Sequence, residues 1–245
     1  MEDKALLSTE EASGAEKAEL LIVIPAYNEA ENIERVVNHL TANFPQYDYV
    51  VVNDGSRDET AAICQRNGYN LLNLPVNLGL AGCFQAGMKY AYYKGYEYAI
   101  QLDGDGQHRP EYLESMIKKM EEGYDIVIGS RFVGEKKPFT MRMLGSNLIE
   151  LAIRFTTGVN IKDPTSGMRM FSKRMIREFA SGLNYGPEPD TVSYLIRQGA
   201  RVAEVPVIMD ERILGVSYLT PVNAMRYMLK MLISILLIQN FRKRR

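Results

Sequence analysis

Ala99-Ile-Gln-Leu-Asp-Gly-Asp-Gly-Gln-His-Arg-Pro110 is the stretch from which the fold is read. Apolar residues run up to Asp103, a second carboxylate follows at Asp105, and Gly104 and Gly106 let the backbone turn tightly between them. A buried strand therefore empties here into a polar site, and Pro110 marks the start of the next helix. Two carboxylates at the mouth of such a strand repel each other unless a cation neutralises them, and Gln107 adds a further oxygen. Oxygen-only ligands specify Mg²⁺ or Mn²⁺, and a set this sparse leaves coordination positions for a substrate diphosphate. The competing reading, a hairpin turn, accounts for the glycines but not for the long apolar run or Pro110.

The same pattern repeats on both sides. Leu20-Leu-Ile-Val-Ile-Pro25 has the length and composition of a strand buried on both faces. Asn28 then offers a cap for a helix carrying Ile33, Val36, Val37 and Leu40. Further strands are expected at 49–53, 71–72, 96–102 and 125–129, with helices to about residue 67, over 81–93 and over 110–122, the last ended by Gly123. Strand alternating with helix at this spacing means right-handed crossovers and a mostly parallel α/β sheet flanked by helices. Ligands bind such sheets beyond the carboxyl ends of the strands. Tyr27-Asn-Glu29, Asn53-Asp54, Asn77, Asp103 with Asp105, and Ser130-Arg131 all fall at those ends.

With 245 residues, 46% of them hydrophobic, the chain can bury one sizeable core. A net charge of -1 argues against nucleic acid as the main partner, although Arg242-Lys-Arg-Arg245 forms a positive end that an anionic membrane surface attracts. Cys64 and Cys83 are too few for a disulfide framework or a zinc site, which fits a reducing, cytoplasmic setting, and no signal peptide is read at the start. Residues 1–18 are expected to be a solvated tail, 19–220 the folded domain and 221–245 a separate amphipathic helix with a basic end.

Pro25-Ala-Tyr-Asn-Glu29, Asn53-Asp-Gly-Ser-Arg-Asp58, Asn77-Leu-Gly79, Asp103-Gly-Asp-Gly-Gln-His108 and Gly129-Ser-Arg131 together resemble glycosyltransferase family 2, with its GT-A (Rossmann-like) fold. Within it the chain is similar to the dolichyl-phosphate mannose synthase branch, which moves a sugar from a nucleotide sugar to a polyprenyl phosphate. The resemblance covers roughly residues 20–217 and implies that Pro25, Tyr27, Glu29, Asp54 and Asn77 line the nucleotide-sugar pocket. It also implies that Asp103, Asp105 and Gln107 hold the metal and that Arg131, Arg142 and Ser146 grip the acceptor phosphate. Guanidinium groups suit that task because they fork onto phosphate oxygens, and Lys136, Lys137, Arg154 and Lys162 add to the positive field. His108 is expected to orient its neighbours by hydrogen bonds.

Asp163-Pro-Thr-Ser-Gly-Met-Arg169 resembles the family's Asp-x-Thr-Ser-Gly-Phe-Arg segment with Met168 in place of Phe. Asp163 has two readings, a base toward a hydroxyl acceptor or an organiser of its loop; Glu188 and Asp190 are weaker candidates for the base. Arg212-Ile-Leu-Gly-Val-Ser217 looks like the family loop whose Arg meets the diphosphate, here with Tyr218 where Lys is usual.

Residues 222–241 read as an interfacial amphipathic helix, or as a helix packed on the domain, on a membrane-protein partner or on a second copy of the chain. These readings imply an inverting hexosyl transfer to a polyprenyl phosphate at the inner face of the cell membrane, in cell-envelope glycan synthesis. A UDP-hexose, glucose before N-acetylglucosamine, stands ahead of GDP-mannose as donor. The alternatives are a family 2 enzyme acting on a sugar hydroxyl, a sugar nucleotidyltransferase, and a non-catalytic nucleotide-sugar binder.

Overall fold

The computed structural model describes residues 19–135, 137, 140–181, 186–210 and 221–241. The expected tail, Lys136, Arg212, Tyr218 and the basic end Arg242–Arg245 lie outside them. The chain opens with β1 (Leu20–Ala26), α1 (Ile33–Asn43), β2 (Asp48–Asn53), α2 (Thr60–Arg66), β3 (Leu71–Asn73), α3 (Gly79–Lys94) and β4 (Tyr98–Gln101). A 3-10 turn at Pro110–Tyr112 leads into α4 (Leu113–Glu121), followed by β5 (Ile126–Ser130), α5 (Met141–Thr157), β6 (Arg169–Ser172) and α6 (Lys173–Ala180). Then come α7 (Pro189–Arg197), β7 (Val202–Pro206) and α8 (Pro221–Leu236).

Among the described residues the seven strands form one sheet in the order β3-β2-β1-β4-β6-β5-β7. All pairs are parallel except those of β6, which runs antiparallel to both β4 and β5. The continuous apolar strands are explained by burial on both faces. Ile33, Val36, Val37 and Leu40 of α1, with apolar residues of α2 and α4, cover one face. Residues of α3, α5, α6, α7 and α8 cover the other, where Phe84, Phe171 and Phe179 pack edge to face with centroids 4.9–5.4 Å apart. Thr140 caps α5 and Ser172 caps α6, each side chain accepting from a backbone N–H three residues on.

Two details depart from the sequence reading. Asn28 does not cap α1: it takes a left-handed conformation (φ 56), its Oδ1 accepts from the Arg57 N–H, and the helix starts five residues later. Asn tolerates that backbone region and bridges two loops there. β6 was not anticipated, because four residues beginning with an arginine carry neither an apolar run nor an alternation.

The C-terminal helix α8 packs on the domain: Met231 and Ile235 are buried in the same core as Ile149 and Ile153 of α5. Helices α5 and α8 approach so closely that a Cβ on Gly145 would lie 1.5 Å from Met228 Sδ. The opposite side of α8 exposes Met225, Leu229 and Ile233, while α5 exposes Leu148, Leu151 and Phe155, the last at 83%. No helix among the described residues is long and apolar enough to cross a membrane.

Candidate active site

The carboxyl ends of β1, β2 and β4 build the first half of the site. Pro25, Tyr27, Glu29, Asp54, Asp103 and Asp105 line one cavity of about 270 Å³. Gly104 makes the convergence possible, since a Cβ there would stand 2.9 Å from the carbonyl oxygen of Pro25. Asp54 is buried, and its Oδ1 accepts from the Leu78 N–H at 2.7 Å, which ties the loop after β3 to the pocket. Asn77, by contrast, is exposed and lies outside the described lining of this cavity. Glu29 receives the Asn32 amide at 2.9 Å, and Arg35 reaches from α1 to the carbonyl of Asp105 at 3.1 Å.

A second cavity, of about 400 Å³, adjoins the first at Asp103 and Leu80, which line both. Its wall includes Gln107, His108, Arg131, Arg169, Glu188 and Tyr227. Asp103 is held from two sides: its Oδ1 accepts from Gln101 Nε2 at 3.0 Å, and its backbone N–H donates to His108 Nδ1 at 3.0 Å. An imidazole accepting at Nδ1 carries its proton on Nε2, which faces Asp103 Oδ2 at 3.6 Å. Gln107 donates its backbone N–H to Asp105 Oδ1 at 3.0 Å, while its side-chain amide is directed to the carbonyl of Asp210. Asp210 also accepts two hydrogen bonds from Arg109, so the segment leading toward residue 211 is fastened to the Asp-Gly-Asp loop.

Three carboxylates offered by the sequence as bases are all engaged. Asp163 is fully buried and accepts from Arg131 three times, from the backbone N–H at 3.1 Å, Nε at 2.7 Å and Nη2 at 2.8 Å. Glu204 of β7 accepts in turn from the Asp163 N–H. Glu188 accepts from the Tyr227 hydroxyl, and Asp190 from the hydroxyl of Ser234 at 2.6 Å and the Thr191 N–H at 2.8 Å. Burial and the carboxylate of Glu188 push the Tyr227 phenol well above its ordinary range, so it stays a donor. Ser146 is buried in α5, its hydroxyl without a partner among the described residues and outside the described lining of the second cavity; the side chain of Arg142 lies outside the described residues. The sequence reading missed Gln101, Arg169, Tyr227 and the α8 wall. Arg169 stood inside a quoted segment, but nothing in its local pattern marked it as buried.

Two cavities that meet at one carboxylate, with cations beyond it, suit transfer of a group between two bound substrates. The chain belongs to the family described as Glycosyl transferase family 2, whose model it matches over residues 21–180. It is 31% identical over 223 residues to the polyprenol monophosphomannose synthase of Mycolicibacterium smegmatis, covering 86% of this chain and 84% of that protein. Similarity to the undecaprenyl-phosphate mannosyltransferase of Micrococcus luteus is 31% over 210 residues, covering 81% and 86%. Glucosyl-3-phosphoglycerate synthase of Mycobacterium tuberculosis, crystallised with Mn²⁺ and UDP-glucose, shares the fold with a TM-score of 0.65 at 17% identity, over 89% of this chain and 79% of that one.

Proposed function

We propose that this glycosyltransferase moves a hexose, with inversion, from a nucleoside diphosphate sugar to the phosphate of a polyprenyl phosphate carrier at the inner face of a membrane. One observation carries the choice of acceptor: beyond Asp103 the second cavity offers the Arg131 guanidinium, while Asp163, Glu188 and Asp190 are each already taken by hydrogen bonds. A phosphate monoester is mostly ionised at pH 7, with a second pKa of about 6, and needs no base. A hydroxyl acceptor does need one. The names of the two mannosyl relatives point the same way.

The nucleotide occupies the cavity of Pro25, Tyr27, Glu29 and Asp54. Asp103 and Asp105 suit a hard divalent cation: both are oxygen donors on one wall, and Asp103 leaves 37% of its side chain in solvent. No group of three or more His, Cys, Asp or Glu among the described residues is close enough to enclose an ion, so the remaining ligands would come from the diphosphate. Bound there, Mg²⁺ or Mn²⁺ supplies charge neutralisation to the departing diphosphate. Arg131, fixed by Asp163, orients an oxygen of the acceptor phosphate toward the anomeric carbon. The new bond forms between that oxygen and the anomeric carbon, the bond to the diphosphate breaks, and its electron pair leaves with the nucleoside diphosphate. The exposed apolar side chains of α5 and α8, with the basic end of the sequence, support a peripheral position on an anionic bilayer.

The test has two stages. UDP- and GDP-sugars are compared with Mn²⁺ by thermal shift, GDP-mannose being included because of the mannosyl relatives; at 100 times its dissociation constant a ligand adds about 2.7 kcal/mol. The preferred donor is then offered undecaprenyl phosphate, undecaprenol and a soluble oligosaccharide, with products read by mass spectrometry. A mild-acid-labile glycosyl phospholipid is expected, and better transfer to the alcohol or oligosaccharide overturns the acceptor assignment.

A further inference from the structure

Arg169 opens β6 and, at 2% exposure, heads the largest side chains that the protein buries fully. Its Nη2 donates to the carbonyl of Pro164 at 2.6 Å, whereas Nε and Nη1 are buried without a hydrogen-bond partner among the described residues. Burying a guanidinium in this way opposes folding, since buried charges are otherwise paired and hydrogen-bonded. Its cross-strand neighbour in the register is Gln101, which faces the same side of the sheet, and both line the second cavity. Gln101 Oε1 is likewise buried without a partner among the described residues, although its Nε2 holds Asp103.

Charge sharpens the contrast with Arg131, which enters the cavity already neutralised by Asp163. Arg169 forms no ion pair within 4.0 Å among the described residues; Asp163, Glu188 and Asp190 act on it from farther away, and each has a hydrogen-bond donor of its own. A buried charge that served only the fold would be replaceable by an apolar residue of similar volume, often with a gain in stability. Retaining one at a stability cost beside a cavity is the mark of a functional position.

We propose that Arg169 is a positioning residue of the acceptor site, through which the cavity selects a phosphate monoester over a neutral headgroup. Its guanidinium charge, which no carboxylate pairs within 4.0 Å among the described residues, draws the acceptor phosphate into the cavity beside Arg131, while Gln101 keeps Asp103 in register. This inference rests on the acceptor assignment given above.

The test uses Arg169→Met and Arg169→Lys in the full chain, with farnesyl phosphate and farnesol as probes, read by calorimetry and by steady-state transfer. Arg169→Met is expected to melt at or above the wild-type temperature, to bind farnesyl phosphate at least tenfold more weakly and to raise the acceptor KM at least tenfold. Donor affinity stays within twofold, kcat within threefold, and Arg169→Lys recovers part of the loss. Arg197→Met is the control, because Arg197 also buries an unpartnered Nη1 but lies outside the described lining of the cavity; its acceptor KM is expected to match wild type. A less stable Arg169→Met with undiminished farnesyl phosphate binding gives Arg169 a structural role and overturns the inference while the acceptor assignment stands. A wild-type protein that neither binds nor glycosylates farnesyl phosphate overturns both.

Discussion

Asp163→Asn distinguishes a carboxylate that holds Arg131 from one that works as a base. The native side chain is fully buried and accepts two hydrogen bonds from the guanidinium and one from the backbone of Arg131, whose own side chain keeps 25% of its surface in solvent. An asparagine retains one oxygen and turns an N–H₂ toward the other guanidinium nitrogen, so the ion pair and at least one charge-assisted bond are lost together. Breaking a buried pair costs about 3–5 kcal/mol; with Arg131 partly solvated, about 2–4 kcal/mol is expected. In a chain of this size that is a fall in Tm of roughly 5–15 °C.

Release of Arg131 then moves the group proposed to orient the acceptor, and a displacement of about 1 Å can cost on the order of 100-fold in rate. The loss should fall on kcat/KM for the acceptor, with the donor KM unchanged. The assay pairs a melting curve with kinetics in which donor and acceptor are varied separately. If Asp163 is the base, Asp163→Asn will instead keep its Tm and its acceptor KM and lose kcat by three orders of magnitude or more, and the holding role is refuted.

Asp105→Asn should abolish transfer and weaken diphosphate binding without lowering Tm by more than a few degrees, and EDTA should reproduce the effect on the wild type; full activity under either condition removes the metal from the reaction. Leu229→Glu combined with Phe155→Glu places charge on the exposed faces of α8 and α5 and should reduce cosedimentation with anionic vesicles at least tenfold, leaving transfer to short soluble acceptors intact. Unchanged vesicle binding with an altered oligomeric state would assign that face to a protein partner. Asp125 should dominate part of the acid limb of stability. Burial alone would raise its pKa, but hydrogen bonds and charge from Arg174, with the Arg201 N–H, outweigh it and hold the carboxyl below the ordinary carboxylate range. Its contribution is therefore present above about pH 4 and lost as pH falls through the lowered value, so Asp125→Asn should flatten Tm against pH between about pH 5 and 2.

Much of the scaffold could be read directly because burial on both faces leaves a plain trace. Leu20–Ala26 is apolar almost throughout, and α1 shows its four buried residues at helical spacing. The convergence of polar residues in the first cavity was legible for the same reason, since each parallel strand delivers its polar cluster at its carboxyl end and the sheet order brings β1, β2 and β4 together. Partner choice left no such trace. Asp163, Glu188 and Asp190 look alike as acidic residues in polar loops, and only tertiary placement assigns the first to Arg131 and the other two to α8. The hydrogen bonds involved span 32 to 44 residues, and nothing in local periodicity reports on them.

The direction of β6 explains why the acceptor side was harder to derive than the donor side. In an all-parallel sheet the segment before a strand lies at the amino edge, away from ligands. Reversing β6 puts its first residue at the carboxyl edge, where Gln101 pairs with Arg169 and the preceding loop, Asp163 included, meets the ends of β4 and β5. The cavity proposed for the donor, drawn from parallel strands, thus adjoins the one proposed for the acceptor, to which the reversed strand gives Arg169 and α8 gives Ala224, Tyr227 and Met228. Changes to α8 and to the loops before β6 and α7 should accordingly retune acceptor choice while donor affinity holds, because the two cavities share only Asp103 and Leu80 among their described lining residues.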